Sequence, residues 1–319
     1  MRCTTSSTPF SSGKKHTFLE NFRRYRLLYL LILPAILVYL VYSYLPMFGI
    51  IIAFQDYKPH LGLAGMFSQA EWVGLKHFKT FTSSMYFGRL MRNTLRISLL
   101  KILIGFPAPI ILAMFLNEIR RPLFKKFAQT ISYLPHFLSW VVLSGILTSM
   151  LSTNSGTVNY IITSLGGTPI DFLTDASNFV WVVVLSAVWQ SVGWGSIIYL
   201  ACLANVDPQL YESALIDGAT RFQQMRYISL PSLYSIISIQ FILNMGGILN
   251  AGFDQVLMLY NDLVLETGDI IDTYVYRMGI ESAKYSYSAA VGLFKTLFGF
   301  CLMMAANWGA KKMGQETLI

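Results

Sequence analysis

Trp189, Gln190, Trp194, Asn244, Asn250 and Asp254 are polar or aromatic residues in, or at the edge of, apolar runs of membrane-spanning length. A polar group in hydrocarbon is costly and by default faces a bundle interior or a water-filled cavity. Such a set suits a sugar: the amides and the carboxylate take hydroxyls, and flat C–H faces lie on indole rings. A plainer reading fits the same residues, with the tryptophans as interfacial or packing groups and the amides joining helices. Gly193 and Gly195 flank Trp194, and close helix approach explains them at least as well as substrate contact.

Three cations also lie inside apolar runs: Arg96, Lys101 and Lys295. At a span centre Lys295 would cost roughly 2.5–3.5 kcal/mol, so it either pairs with an acid or a helix C-terminus or faces a cavity. Arg96 and Lys101 sit near one end of their run, where long stems can carry charge to the interface. Catalytic constellations are missing: there is no His-Glu-x-x-His site, no carboxylate pair within a span and no Ser/His pair. The histidines (His16, His60, His77, His136) and cysteines (Cys3, Cys202, Cys301) lack the spacing of a metal site or a disulfide framework. No G-x-x-x-x-G-K-[ST] phosphate loop occurs, so this chain is expected to bind no cofactor directly.

One polar stretch between apolar runs, YESALIDGATRFQQMRYISLP, has an internal design. Asp207-Pro208 is a favoured N-cap and first helical residue. A short helix to about Asp217 follows, and Gly218 supplies a left-handed C-cap. Thr220 with Gln223 three residues on predicts a capping box for a second short helix. Tyr211, Leu215, Gly218, Phe222 and Met225 repeat at spacings of four and three and predict an apolar seam, with Glu212, Asp217 and Arg221 off it. A solvated connector needs neither caps nor a seam; an elbow that presents an amphipathic helix to a partner needs both.

The elements that must hold these residues follow from composition. The chain has 319 residues, 54% hydrophobic and 13% charged; soluble proteins carry about twice that charge. Charge-free runs cover residues 27–55, 102–117, 127–170, 176–206 and 227–253, and a sixth, 285–310, is broken only by Lys295. Most exceed the roughly 20 residues that cross a ~30 Å hydrocarbon core. Run 127–170 is too long for one span; Pro135 and polar residues 152–156 predict an entry segment, a span near 139–151 and then an outside loop. The second span is expected over 93–117, bent at Pro107 and Pro109, with an interfacial helix near 78–91 before it. The first span carries Pro34 and Pro46, where kinks are expected. The fold class is therefore an all-α membrane protein with six transmembrane helices. A polar tail (1–26) precedes the membrane domain (27–312, elbow 207–231), and residues 313–319 form a second tail. The opening is not a secretory signal, because a basic cluster (Arg23, Arg24, Arg26) and an overlong apolar run follow it.

Lysine and arginine set the orientation. With the N-terminus cytoplasmic, inside segments hold 14 of them and outside segments hold seven. Both termini and the elbow are then cytoplasmic, in the cell membrane. The +8 net charge reflects this topology and the lipid surface, not nucleic acid. Outside segment 254–281 is acidic and holds the run 268–276, read either as a gate or binding-protein contact at the outer mouth or as a soluble loop.

Glu212-Ser213-Ala214, three residues, Gly218, nine residues, then Ile228-Ser229-Leu230-Pro231 resembles the EAA loop, E-A-A-x3-G-x9-I-x-L-P, of binding-protein-dependent ABC importer permeases (the MalF-like superfamily). Ser213 replaces the usual first alanine, a small-for-small change. FPAPIILAMFLNEIR, QTISYLPHFLSWVV, GWGSIIYLA, ILNAGFDQVLMLYN and GDIIDTYVYRMG resemble the LplB-like polysaccharide or oligosaccharide branch, over roughly residues 93–312. The resemblance implies a type I importer permease fold. It also implies a coupling helix docking on a separate ATPase through Glu212, Ser213, Ala214, Asp217, Gly218, Ala219 and Arg221. Implied partners are a second permease in a pseudo-two-fold heterodimer, two ATP-binding subunits holding ATP and Mg2+, an extracellular solute-binding protein and an oligosaccharide. Two other functions compete. A self-sufficient secondary transporter predicts inverted repeats, and none is visible; an intramembrane enzyme needs a catalytic set that is missing.

Overall fold

The computed structural model describes residues 25–312. Apart from Tyr25 and Arg26, the expected tails 1–26 and 313–319, with Cys3, His16, Arg23 and Arg24, lie outside the described residues. The fold is all-α with six transmembrane helices. Four are continuous: Arg26–Phe54, Phe87–Glu118, Ala176–Leu203 and Tyr285–Gly309. Two are bent pairs, Pro122–Phe137 with Trp140–Leu151 and Arg221–Ser232 with Tyr234–Gly246. The described strands are a two-residue antiparallel ladder, Gln55–Asp56 with Glu71–Trp72. The chain divides into two compact units, 1–51 and 52–319. In the first, Pro34 is accommodated within the helix Arg26–Tyr39, and the backbone tightens only from Leu45, next to Pro46.

The second span starts earlier than its apolar run suggests, at Phe87, and a separate helix occupies Lys76–Thr82. The expected interfacial helix over 78–91 is therefore split in two. Leu90, Asn93, Thr94, Ile97 and Ser98 are buried in the span, so tertiary packing extends it past Arg89 and Arg92. Pro107 opens a new helical segment, Pro107–Glu118, as a first-turn proline does.

The third span has the expected two parts, an entry segment and a helix near 139–151, broken beside Pro135. Trp140–Leu151 has 12 residues, about 18 Å at 1.5 Å per residue, too short for the hydrocarbon core. Pro122–Phe137 precedes it across a 102° bend, and the two helices count as one span only when taken together. The break has local causes. Pro135 brings no N–H to the helix, and the Ser139 hydroxyl accepts from the Val142 N–H and starts the next one.

The fourth span, Ala176–Leu203, is the spine of the second unit. It opens on Asp175, whose carboxylate accepts from the Ser177 and Asn178 N–H groups. One end packs Phe179, Val180, Val183 and Val184 against Ile97, Val256 and Ile270. The other packs Tyr199 and Leu203 against Ile110, Ala113 and Leu233. At Gly193 a Cβ would lie 1.9 Å from the Ser132 carbonyl oxygen, and at Gly195 3.1 Å from Pro109 Cγ. Close approach of the second and third spans explains both glycines.

At the end of the unit opposite the elbow, residues 268–276 form a buried clasp. Asp269 is 0% exposed and pairs with Arg277 at 2.7 Å and Arg89 at 3.5 Å. Its carboxylate also accepts from Thr273, and Asn93 donates to the Glu266 and Asp269 carbonyls. Ile270, Ile271 and Thr273 are equally buried, and a Cβ at Gly268 would strike Phe179. The acid of this run is buried and paired, not solvated as in a soluble loop, and it ties the second span to the connection that leads into the sixth.

Candidate functional site

The elbow is built as its residue types require. Asp207 accepts from the Gln209 N–H and caps the helix Pro208–Ile216. Gly218 takes φ +79°, a left-handed conformation that costs a glycine nothing. Its N–H donates to Leu215 O, and the Ala219 N–H donates to Ala214 O, closing the first helix. Thr220 and Gln223 form the expected reciprocal capping box over Arg221–Gln224. The base is tied down where the Tyr211 hydroxyl meets that of buried Ser229, 2.9 Å apart.

This tether leaves the tip bare. Glu212, Ser213, Asp217, Gly218 and Arg221 are exposed, and Ala214 and Ala219 are half-buried. Leu215, Ile216 and Phe222 are 64%, 86% and 71% exposed. The expected seam is redistributed. Because Gly218 turns the chain, Leu215 and Phe222 sit on two separate short helices, while Tyr211 and Met225 are drawn toward the base. An apolar surface this bare, rimmed by charge, is what a docking face requires.

The polar residues of the spans divide between three places. Trp194, Asn244 and Asn250 come together along two adjoining cavities of about 460 and 650 Å³, between the second, fourth and fifth spans. Asn244 and Ser191 line both, Asn250 the first and Trp194 the second. Trp194 also stacks on His136, with ring centroids 4.7 Å apart and planes 6° from parallel. Gln190 turns to the third span, donating to Leu138 O at 3.3 Å. Trp189 lines a separate apolar cavity of about 340 Å³ with Leu147, Trp181 and Leu185. Asp254 is exposed on the first turn of the helix Phe253–Leu259.

Lys295 resolves to an ion pair, 2.6 Å from Asp272, and also donates to Asn250 Oδ1 at 3.0 Å. Lys101 does not snorkel. It stands some 14 residues into its span and donates to Ala251 O and Gln255 Oε1, each at 2.6 Å. Lys101, read from sequence as a snorkelling cation, lines the first cavity; Ser98, Ser191 and Gln240 also line the cavities and were not singled out from sequence. A helical offset from Asn244 would have found Gln240, one turn away.

The cavities offer a cation, amides and hydroxyls with aromatic walls, a set that binds and orients polar molecules and carries no nucleophile–base pair. Comparison with known proteins agrees with a transport role. Residues 105–315 match the model of the family described as "Binding-protein-dependent transport system inner membrane component". The Bacillus subtilis protein LplB is 46% identical over 97% of this chain and 96% of its own length. The polygalacturonan/rhamnogalacturonan transport system permease protein YteP, also of Bacillus subtilis, is 45% identical over 97% and 95%. A solved bacterial ABC transporter involved in the import of the acidic polysaccharide alginate contains a chain that superposes with TM-score 0.83 at 36% identity, covering 92% of this chain and 98% of that one. A second structure, of a bacterial alginate ABC transporter in complex with alginate pentasaccharide-bound periplasmic protein, gives TM-score 0.85 at 35% identity, over 95% and 100%. The chain belongs to the family of binding-protein-dependent transport system inner membrane components, the non-catalytic permease subunits of ABC transporters.

Proposed function

We propose that this chain is one permease of an ATP-driven, binding-protein-dependent importer of oligosaccharides or polysaccharide fragments. A second permease completes the path as a pseudo-two-fold partner, and two separate subunits bind ATP and Mg2+. Both termini and the elbow face the cytoplasm, in accord with the lysine and arginine balance. The elbow carries the reading: two capped short helices around Gly218 hold Leu215, Ile216 and Phe222 in the open beside Glu212 and Arg221. The docking surface is Glu212, Ser213, Ala214, Asp217, Gly218, Ala219 and Arg221. ATP-driven closure of the motor subunits draws the elbows together and opens the path outward; hydrolysis resets it inward.

Sugar chemistry fits the cavities. Asn244, Asn250 and Ser191 offer hydroxyl partners, and Trp194, held by His136, offers a flat wall. Trp194→Ala and Asn244→Ala are each expected to lower oligosaccharide uptake about tenfold, the worth of one lost stacking face or buried hydrogen bond. Co-purification of the other subunits should persist. Trp189→Ala serves as the comparison, since Trp189 lines the separate apolar cavity. Wild-type uptake by both Trp194→Ala and Asn244→Ala, with the complex intact, removes the cavities from the path.

A further inference from the structure

Resting on the saccharide-import reading of these cavities, we infer that the cargo is an acidic oligosaccharide whose carboxylate is bound by Lys101. The argument begins with charge. Lys101 and no aspartate or glutamate lines the two adjoining cavities among the described residues. Lys295, by contrast, is matched by Asp272. The partners of Lys101 are both neutral, Ala251 O and Gln255 Oε1. An ammonium has three N–H donors, so these two bonds leave one without a protein acceptor, on a residue that lines the first cavity.

The holder is fixed in turn. Gln255 is 0% exposed, and its amide nitrogen donates to Val183 O and to the Ser186 hydroxyl, each at 2.8 Å. Those bonds set which end of the amide meets Lys101. The ammonium is thus aimed by buried groups before any ligand arrives, as a binding residue should be.

A purely helix-joining role does not require a charge. Asn93, two turns earlier in the same span, ties it to the Glu266 and Asp269 carbonyls with a neutral amide. An intramembrane cation without a counter-ion is costly, and a carboxylate brought by the cargo relieves that cost. Asn244, Asn250 and Ser191 take hydroxyls, and Phe106 and Trp194 take ring faces. The whole set matches a sugar acid better than a neutral sugar.

The test uses the assembled importer in nanodiscs, without its binding protein, and two probes of equal length: trigalacturonate and its carboxyl-reduced, neutral trisaccharide. Wild-type complex should bind the acid about tenfold more tightly, the gain from one charge-assisted hydrogen bond. Lys101→Gln should bring the two probes within about twofold of each other, and Lys101→Arg should keep the preference. Equal binding by wild type, or a preference that survives Lys101→Gln, overturns the assignment and leaves the saccharide reading standing. Binding of neither probe overturns the saccharide reading and this inference with it. If Lys101→Gln does not assemble, the wild-type comparison decides alone.

Discussion

Gly218→Pro is expected to abolish uptake while the chain still inserts and its partners still hydrolyse ATP. Two features of Gly218 are incompatible with proline. Its φ is +79°, whereas the pyrrolidine ring fixes φ near −65°. Its N–H donates to Leu215 O at 3.1 Å, and proline has no N–H. The flanking helices have nine and four residues and do not hold their geometry without the turn and caps. A strain of this kind costs roughly 3 kcal/mol or more locally, enough to lower the competent population over a hundredfold. The readout is the ratio of solute moved to ATP hydrolysed. Gly218→Asn is the informative companion, because asparagine tolerates the left-handed region and should keep most uptake. Normal coupling in Gly218→Pro would show that the elbow's shape does not matter.

The largest effect on stability is expected at Asp269→Ala. The carboxylate is fully buried and holds Arg277 and Arg89 from two different elements, together with Thr273. Removing one partner of a buried ion pair strands the other charges and typically costs about 3–5 kcal/mol. The variant should accumulate poorly and its purified form should unfold at markedly lower temperature. Asp269→Asn retains an acceptor for Thr273 and should fall between the two. A melting curve that coincides with wild type would mean that the clasp contributes no stability.

The contrast between elbow and clasp shows which parts of the molecule can be read from sequence. Asp207-Pro208, Gly218 and the Thr220–Gln223 box act within four residues of themselves, so their chemistry is visible in a short window. The spans are visible because hydrocarbon imposes length and composition. The cation at 101 is equally visible, but its partners lie 150 and 154 residues away. Asp269 in an acidic stretch reads as solvated until Arg89, 180 residues earlier, is brought beside it. Gln190 and Trp189 are adjacent in sequence and point to different neighbours, Leu138 and the Leu147 side, because a helix turns 100° per residue. Which intramembrane polar residues share a cavity is set by how helices are rotated against one another, and no local pattern records that.

Solute movement in proteoliposomes tests the central claim, that a separate motor drives this bundle through its elbow. With its companion permease, the ATP-binding subunits and a loaded binding protein, the chain should support accumulation that requires ATP hydrolysis and stops when a non-hydrolysable analogue replaces ATP. Reconstituted by itself it should move nothing. Sustained flux through the chain alone, without nucleotide, would contradict the account.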